Sequence, residues 1–195
     1  MLWPKAVTER VRSGADREIL HSYPYRSACP STVWAELVSR AERDLFFAGY
    51  TNYFLFTQQP RFTATLREKL AAGCRVRFLL GAPEAEVTRA REVVEDVRLT
   101  VSTRIRMTLD ELGRLPADSG LEARFSHPQD APSHIALSVF RFDDEALVTP
   151  HLARSAGHDS PLLHLRRHGE DGLFDRFAEH AEELWERGVP VSEGA

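Results

Sequence analysis

The chain holds only two cysteines, Cys29 and Cys74, and neither stands at metal-ligand spacing. Two isolated thiols exclude a disulfide-stapled scaffold and fit a reduced compartment. No apolar run nears the about 20 residues of a membrane-crossing helix. The opening Met1-Leu-Trp-Pro-Lys5 lacks the apolar core of a secretory signal. A cytoplasmic protein without membrane contact is therefore expected. Positive charge is not in excess: 25 Lys and Arg stand against 29 Asp and Glu, a net charge of -4. That balance argues against direct nucleic-acid binding, while leaving room for a local basic patch. The eight histidines form no His-x3-His pair and no set with carboxylates at ligand spacing, so no metal or other cofactor is expected. No internal repeat is visible, so any half-domain is present once.

What is there suits one domain: 195 residues can bury a sizeable core. Residues 1–18 read as an N-terminal extension, with Trp3, Val7 and Val11 spaced for a short helix ended by Ser13-Gly14. Ser31 suits an N-cap for a helix carrying Val33, Trp34, Leu37 and Val38. Leu45 to Tyr50 reads as a buried strand, and Thr51 to Pro60 as an aromatic loop at its end. Phe62, Leu66 and Leu70 mark a helix that Gly73 stops, and Arg75 to Leu80 a second strand. From Glu84 to Leu112 the apolar spacing fits one long helix, or two with a break near Leu99–Ser102. Leu121 to Phe125 reads as a strand, Ser126 to Ser133 as a loop, and Gly172 to Arg187 as the final helix. Helices alternating with strands over short links predict an α/β sheet with parallel strands. Residues 188–195 are a tail.

The chain is organised around 135–151. Ile135 to Phe142 and Ala146 to Thr149 read as two strands joined by Asp143-Asp144-Glu145. Alternation puts Ala136, Ser138, Phe140 and Phe142 on one face, and Leu137, Val139 and Arg141 on the other. A further strand, Leu162 to Arg167, sets His164 and Arg166 on one face.

This order, with Tyr23-Pro-Tyr-Arg-Ser27, Lys69-Leu-Ala-Ala-Gly-Cys-Arg-Val-Arg-Phe-Leu-Leu-Gly81, Phe140-Arg-Phe-Asp-Asp144, Leu147-Val148, His151, Leu163-His-Leu-Arg-Arg167 and Leu173-Phe174, resembles the phospholipase D-like superfamily in single-copy form. More closely, residues from about His21 to Arg187 resemble an uncharacterised domain that follows helix-turn-helix domains in actinobacterial transcriptional regulators. The resemblance implies an α/β fold, a phospholipase D-like mixed sheet flanked by helices on both faces, over 19–187. It also implies a homodimer, since single-copy members commonly pair, and a separate DNA-binding or regulatory partner protein. The residues ahead of His21 are too few for a helix-turn-helix domain. Enzymes of the superfamily read His-x-Lys-x4-Asp on the strand entering this hairpin. With the aspartate set on Asp143, Ala136 falls at the nucleophile position and Ser138 at the lysine position. Anchoring on His134 instead puts Ala136 at the lysine and Arg141 at the aspartate. Either way the phosphohistidine chemistry is absent, a degenerate form.

Seven residues are candidates for ligand binding. Tyr50, Thr51 and Asn52 follow the first buried strand, where open α/β sheets bind ligands. Ser138 is small and polar on the pocket face. His151 lies just past a strand, suited to contact an anion or act as a base, or to be an exposed loop histidine. His164 and Arg166 would make a cationic pair for phosphate or carboxylate, unless Arg166 pairs with a surface carboxylate. His151 and His164 are the two catalytic candidates. Arg141 is expected to support Asp143 or Asp144. Tyr53-Phe-Leu-Phe56 reads as a hydrophobic dimer patch or a lid. His127, His134 and His158 are expected in polar loops and His180 solvated. Two functions compete. One is a non-catalytic ligand-binding or regulatory module for an anionic small molecule. The other is an enzyme of phosphodiester hydrolysis or specialised metabolism that uses His151 and His164 in place of the lost pair.

Overall fold

The computed structural model describes residues 17–116 and 120–191. The expected helix on Trp3, Val7 and Val11, and most of the tail, lie outside the described residues. One sheet of eight strands runs through the domain: β1 (Ile19–Tyr23), β2 (Asp44–Ala48), β3 (Arg75–Leu80), β4 (Leu121–Phe125), β5 (Leu137–Phe142), β6 (Glu145–Pro150), β7 (Leu162–Arg166) and β8 (Val189–Pro190). Their spatial order is β1-β7-β6-β5-β2-β3-β4-β8. β2, β3 and β4 are parallel, and every other pairing is antiparallel. The α-helices whose full extent lies among the described residues are α1 (Ser31–Arg40), α2 (Tyr53–Gln58), α3 (Phe62–Ala71), α4 (Glu86–Glu95), α5 (Val101–Leu112), α6 (Ala131–Ala136) and α7 (Leu173–Arg187).

Both sheet faces are covered, because β2 is apolar at every position after Asp44 and so buries both of its faces. Phe47, Phe78, Phe140, Phe142 and Leu147 pack on one side with Trp34 of α1 and Leu66 of α3. Phe46, Leu79, Val139, Val148 and Leu165 pack on the other against Phe174, Ala181, Leu184 and Trp185 of α7. The expected alternation along β5 is therefore observed. Gly73 ends α3 with φ +84, and Cys74 N–H donates to the Lys69 carbonyl at 3.0 Å, the reversal that favours glycine.

Several expectations need correction. Ser31 is the first helical residue, and Pro30 holds the cap position. Thr51–Pro60 is not a loop, because Tyr53–Gln58 form α2. Nor is its aromatic run a surface patch. Phe54 and Leu55 are buried, with Phe54 edge-on to Trp34 at 5.0 Å and to Phe140 at 5.6 Å. Core burial overrides the loop reading: Phe56 closes on Phe62 and Phe78. Of the two helical options for 84–112, two helices form, parted by Asp96 at φ 44. α6 replaces part of the expected loop before β5, and His134 on it is fully buried rather than in a polar loop. His180 is half-buried, its Nε2 shielded from solvent.

Arg141 does not hold the turn acids. It bonds Asp44 at 2.7 Å and Glu182 at 2.6 Å, beside the buried Arg77, which takes the same two carboxylates. Asp143 instead accepts three backbone N–H groups, from Glu42 at 2.8 Å, Arg43 at 3.0 Å and Asp44 at 2.9 Å. Those donors hold its carboxyl below the usual range against the opposing effect of burial, which is the largest single influence on it. The turn aspartate thus fastens the hairpin to the start of β2.

Candidate functional site

β2 has a parallel neighbour on one side and an antiparallel one on the other, and the chain leaves its C-terminal end into a pocket. Gly49 to Asn52 form the floor. Asn52, at φ 52 and buried, donates from Nδ2 to the carbonyls of Phe47 at 3.0 Å and Leu79 at 3.2 Å. It joins the ends of β2 and β3, while its Oδ1 is buried with no hydrogen-bond partner among the described residues. Gly81 gives Tyr50 its place: a Cβ there would lie 2.2 Å from the Tyr50 ring. Tyr50 then bonds Thr88 of α4 at 2.8 Å and leans on His134 at 5.2 Å. Burial raises the Tyr50 phenol above its ordinary pKa. Thr51 is fixed through its carbonyl, which accepts from the Thr108 hydroxyl at 2.7 Å.

The cavity above this floor measures about 200 Å³. Ser138 and Thr149 are paired at one end of the β5–β6 hairpin. His151 follows, its N–H on the Ala136 carbonyl at 2.8 Å, and its Nε2 shares a 2.8 Å hydrogen bond with the Ser138 hydroxyl. Burial, with Arg26 and Arg91 close by, holds the imidazole down at about 4, so it is neutral at pH 7.

Three arginines line the same cavity against one carboxylate, Glu95. Arg91 and Arg104 both engage Glu95, and Arg91 also donates to the Ala153 and Ser155 carbonyls. Arg26 differs. β1 carries it to this end of the sheet, and its guanidinium lies 3.9 Å over the Phe54 ring. Among the described residues no carboxylate or carbonyl takes its side-chain N–H groups. Burial, reinforced by Arg104, pushes it down to about 10, leaving it still charged at neutral pH.

Five of the seven candidates, Tyr50, Thr51, Asn52, Ser138 and His151, therefore line one cavity. His164 and Arg166 do not. β6 meets β7 so that Glu145, at the turn end of the hairpin, faces Arg166, and Leu147 faces His164. His164 bonds Glu145 at 2.7 Å and Arg166 does so at 3.1 Å, with Arg40 as a third partner. Burial lowers the His164 pKa, against the pull of Glu145. Register thus separates the two histidines: His164 turns to Glu145 at the turn end of the hairpin, and His151 meets Ser138 beyond its other end. Sequence reasoning missed Arg26, Arg91, Arg104 and Phe54. Arg26 stood inside Tyr23-Pro-Tyr-Arg-Ser27 without a sign that it faced inward. Arg91 and Glu95, four apart on a helix, have the spacing of any surface pair, which carries no sign of a cavity.

Structural comparison decides the architecture. NucT from Helicobacter pylori superposes with a TM-score of 0.55 at 12% identity, over 88% of this chain and 96% of that one. The fold is phospholipase D-like. Nuc from Salmonella typhimurium, a phospholipase D family member, aligns with a TM-score of 0.47 at 14% identity, over 83% of this chain and 90% of that one. TrmBL2, an archaeal chromatin protein with a novel mode of DNA binding, gives a TM-score of 0.51 at 16% identity over 96% of this chain. The chain spans 62% of the length of that protein. No family model matches the sequence, and no curated protein does. In this phospholipase D-like fold Ser138 lines the cavity, whereas Ala136 is exposed at the end of α6. Among the described residues no group of three or more His, Cys, Asp or Glu could hold a metal ion. None of the described helices is long and apolar enough to cross a membrane.

Proposed function

We propose that this chain is a phospholipase D-like module that binds a small anionic molecule and does not run phosphohistidine chemistry. The observation that carries the reading is Arg26, a half-buried cation with no counter-ion among the described residues, its guanidinium set over Phe54 in the lining of the cavity. Partial withdrawal from water without a partner carries a cost, and an anion in the cavity offsets it through charge-assisted hydrogen bonds. Arg91, Arg104, Ser138 and His151 line the same cavity and add polar contacts to it. Ala136 and Ser138, at the positions where the superfamily's enzymes carry histidine and lysine, support binding over that hydrolysis. We further propose a regulatory role, with a separate DNA-binding or regulatory partner giving the output. The likeness to a chromatin protein that binds DNA supports it. Net charge -4 favours leaving DNA contact to the partner.

Titration with inorganic phosphate tests the pocket. Saturable, salt-sensitive binding is expected, weakened about tenfold or more by Arg26→Gln, on the scale of one charge-assisted contact. Arg40→Gln, at the Glu145 cluster outside the cavity, should leave it unchanged. Equal phosphate affinity in wild type and Arg26→Gln would overturn the reading.

A further inference from the structure

Anion binding leaves one feature of the cavity unused. A hydroxyl and a neutral imidazole meet inside it, each held by strand ends rather than by a free loop. Ser138 sits in β5 opposite Thr149 of β6. His151 is fixed by its N–H on the Ala136 carbonyl. Gly157 lies against the imidazole, where a Cβ would come within 3.2 Å of Cε1, so no side chain there displaces the ring. We propose that Ser138 is a nucleophile, with His151 as its base, toward small esters whose anionic group is held by Arg26. The proposal rests on the Arg26 pocket for placing the ester and adds a covalent step to it.

The step balances without any further reactant. The Ser138 Oγ–H proton passes to Nε2 of His151 as the bond from Oγ to the ester's acyl carbon or phosphorus forms. The bond from that centre to the leaving oxygen breaks, and the proton goes on to the leaving alcohol. Water then attacks the same centre, gives its proton to His151, and Ser138 Oγ takes that proton back as the acid is released. Charge developing on the reacting group lies among Arg26, Arg91 and Arg104, which suits an ester that is already anionic. The same arginines act on the base. Burial first, then Arg26 and Arg91, depress the His151 pKa. An anion on Arg26 offsets that charge, so the imidazole becomes a stronger base once the ester is in place.

The test offers the full chain two chromogenic esters separately, mono-p-nitrophenyl succinate and p-nitrophenyl phosphate. With one of them, wild type should release p-nitrophenol and gain a succinyl or phosphoryl mass on the peptide containing Ser138, which identifies the ester class. Ser138→Ala and His151→Gln, checked for folding by thermal unfolding, should each lose about a hundredfold or more. The kcat/KM profile should be level from pH 5.5 to 8, because the free enzyme's base is already neutral there. Release that persists in Ser138→Ala, or a profile that falls with a midpoint near 6.5, would overturn the assignment. So would no release from either ester. If phosphate still binds through Arg26 in that last case, the nucleophile falls and the binding pocket stands. Labelling of Ser138 in a protein that does not bind phosphate would sink the pocket reading and keep the nucleophile.

Discussion

Replacing His134 by leucine should make this protein more stable, and more so in acid. His134 is completely buried on α6, and neither ring nitrogen has a hydrogen-bond partner among the described residues. A buried polar group left unpaired costs about 1–3 kcal/mol. Leucine has similar bulk and no polar atoms, so it removes that cost and keeps an apolar contact with Tyr50. The acid effect follows from linkage. Burial pushes His134 down to about 3 in the folded chain. An unfolded histidine titrates near about 6.5. The unfolded chain therefore takes up the proton first as pH falls. Stability is whole above about 6.5 and drains as pH drops from there toward 3. At pH 5 the loss from this one residue is about 2 kcal/mol relative to pH 8. Urea unfolding at the two pH values checks both parts. His134→Leu should gain about 1–2 kcal/mol at pH 8. Its deficit at pH 5 should also shrink by about 2 kcal/mol relative to wild type. His151, held down at about 4 in the cavity, keeps its own share of the acid loss in either protein. A variant less stable than wild type at pH 8, with an unchanged difference between pH 8 and pH 5, would refute the reasoning.

Two more perturbations separate buried from exposed chemistry. Arg77→Met leaves Asp44 and Glu182 with Arg141 alone, and should cost about 3 kcal/mol by urea unfolding. Arg75→Met breaks only the exposed pair with Glu122 and should stay within about 0.5 kcal/mol. Equal losses in the two would mean that Arg77 is not the buried member of its network. Gly81→Ala places a Cβ where the Tyr50 ring lies, so Tyr50 must leave Thr88. Lower thermal stability together with weaker phosphate binding is expected, and an unchanged melting temperature would show that the floor tolerates the shift.

The sequence alone determined the local grammar. β2, β3 and the β5–β6 hairpin were legible because runs such as Leu45-Phe-Phe-Ala48 and the alternation from Leu137 to Phe142 report burial directly. Gly73 marked the end of α3 for a backbone reason that needs no partner. The likeness of 21–187 to the phospholipase D-like superfamily reached the layered fold, and the position of Tyr50–Asn52 after a parallel strand pointed to the sheet end that holds the cavity. Only the tertiary structure decided which side chains share a site. Register sent Ser138 and His151 to one end of the hairpin and His164 and Arg166 to the other, a distinction invisible while both strands carry polar residues on one face. α2 formed where a loop was expected because the core between Trp34, Phe62 and Phe140 takes in Phe54 and Phe56, and burial of that size outweighs local preference. Arg26, Arg91 and Arg104 come from three separate segments, and their convergence is a property of long-range packing that no spacing along the chain encodes.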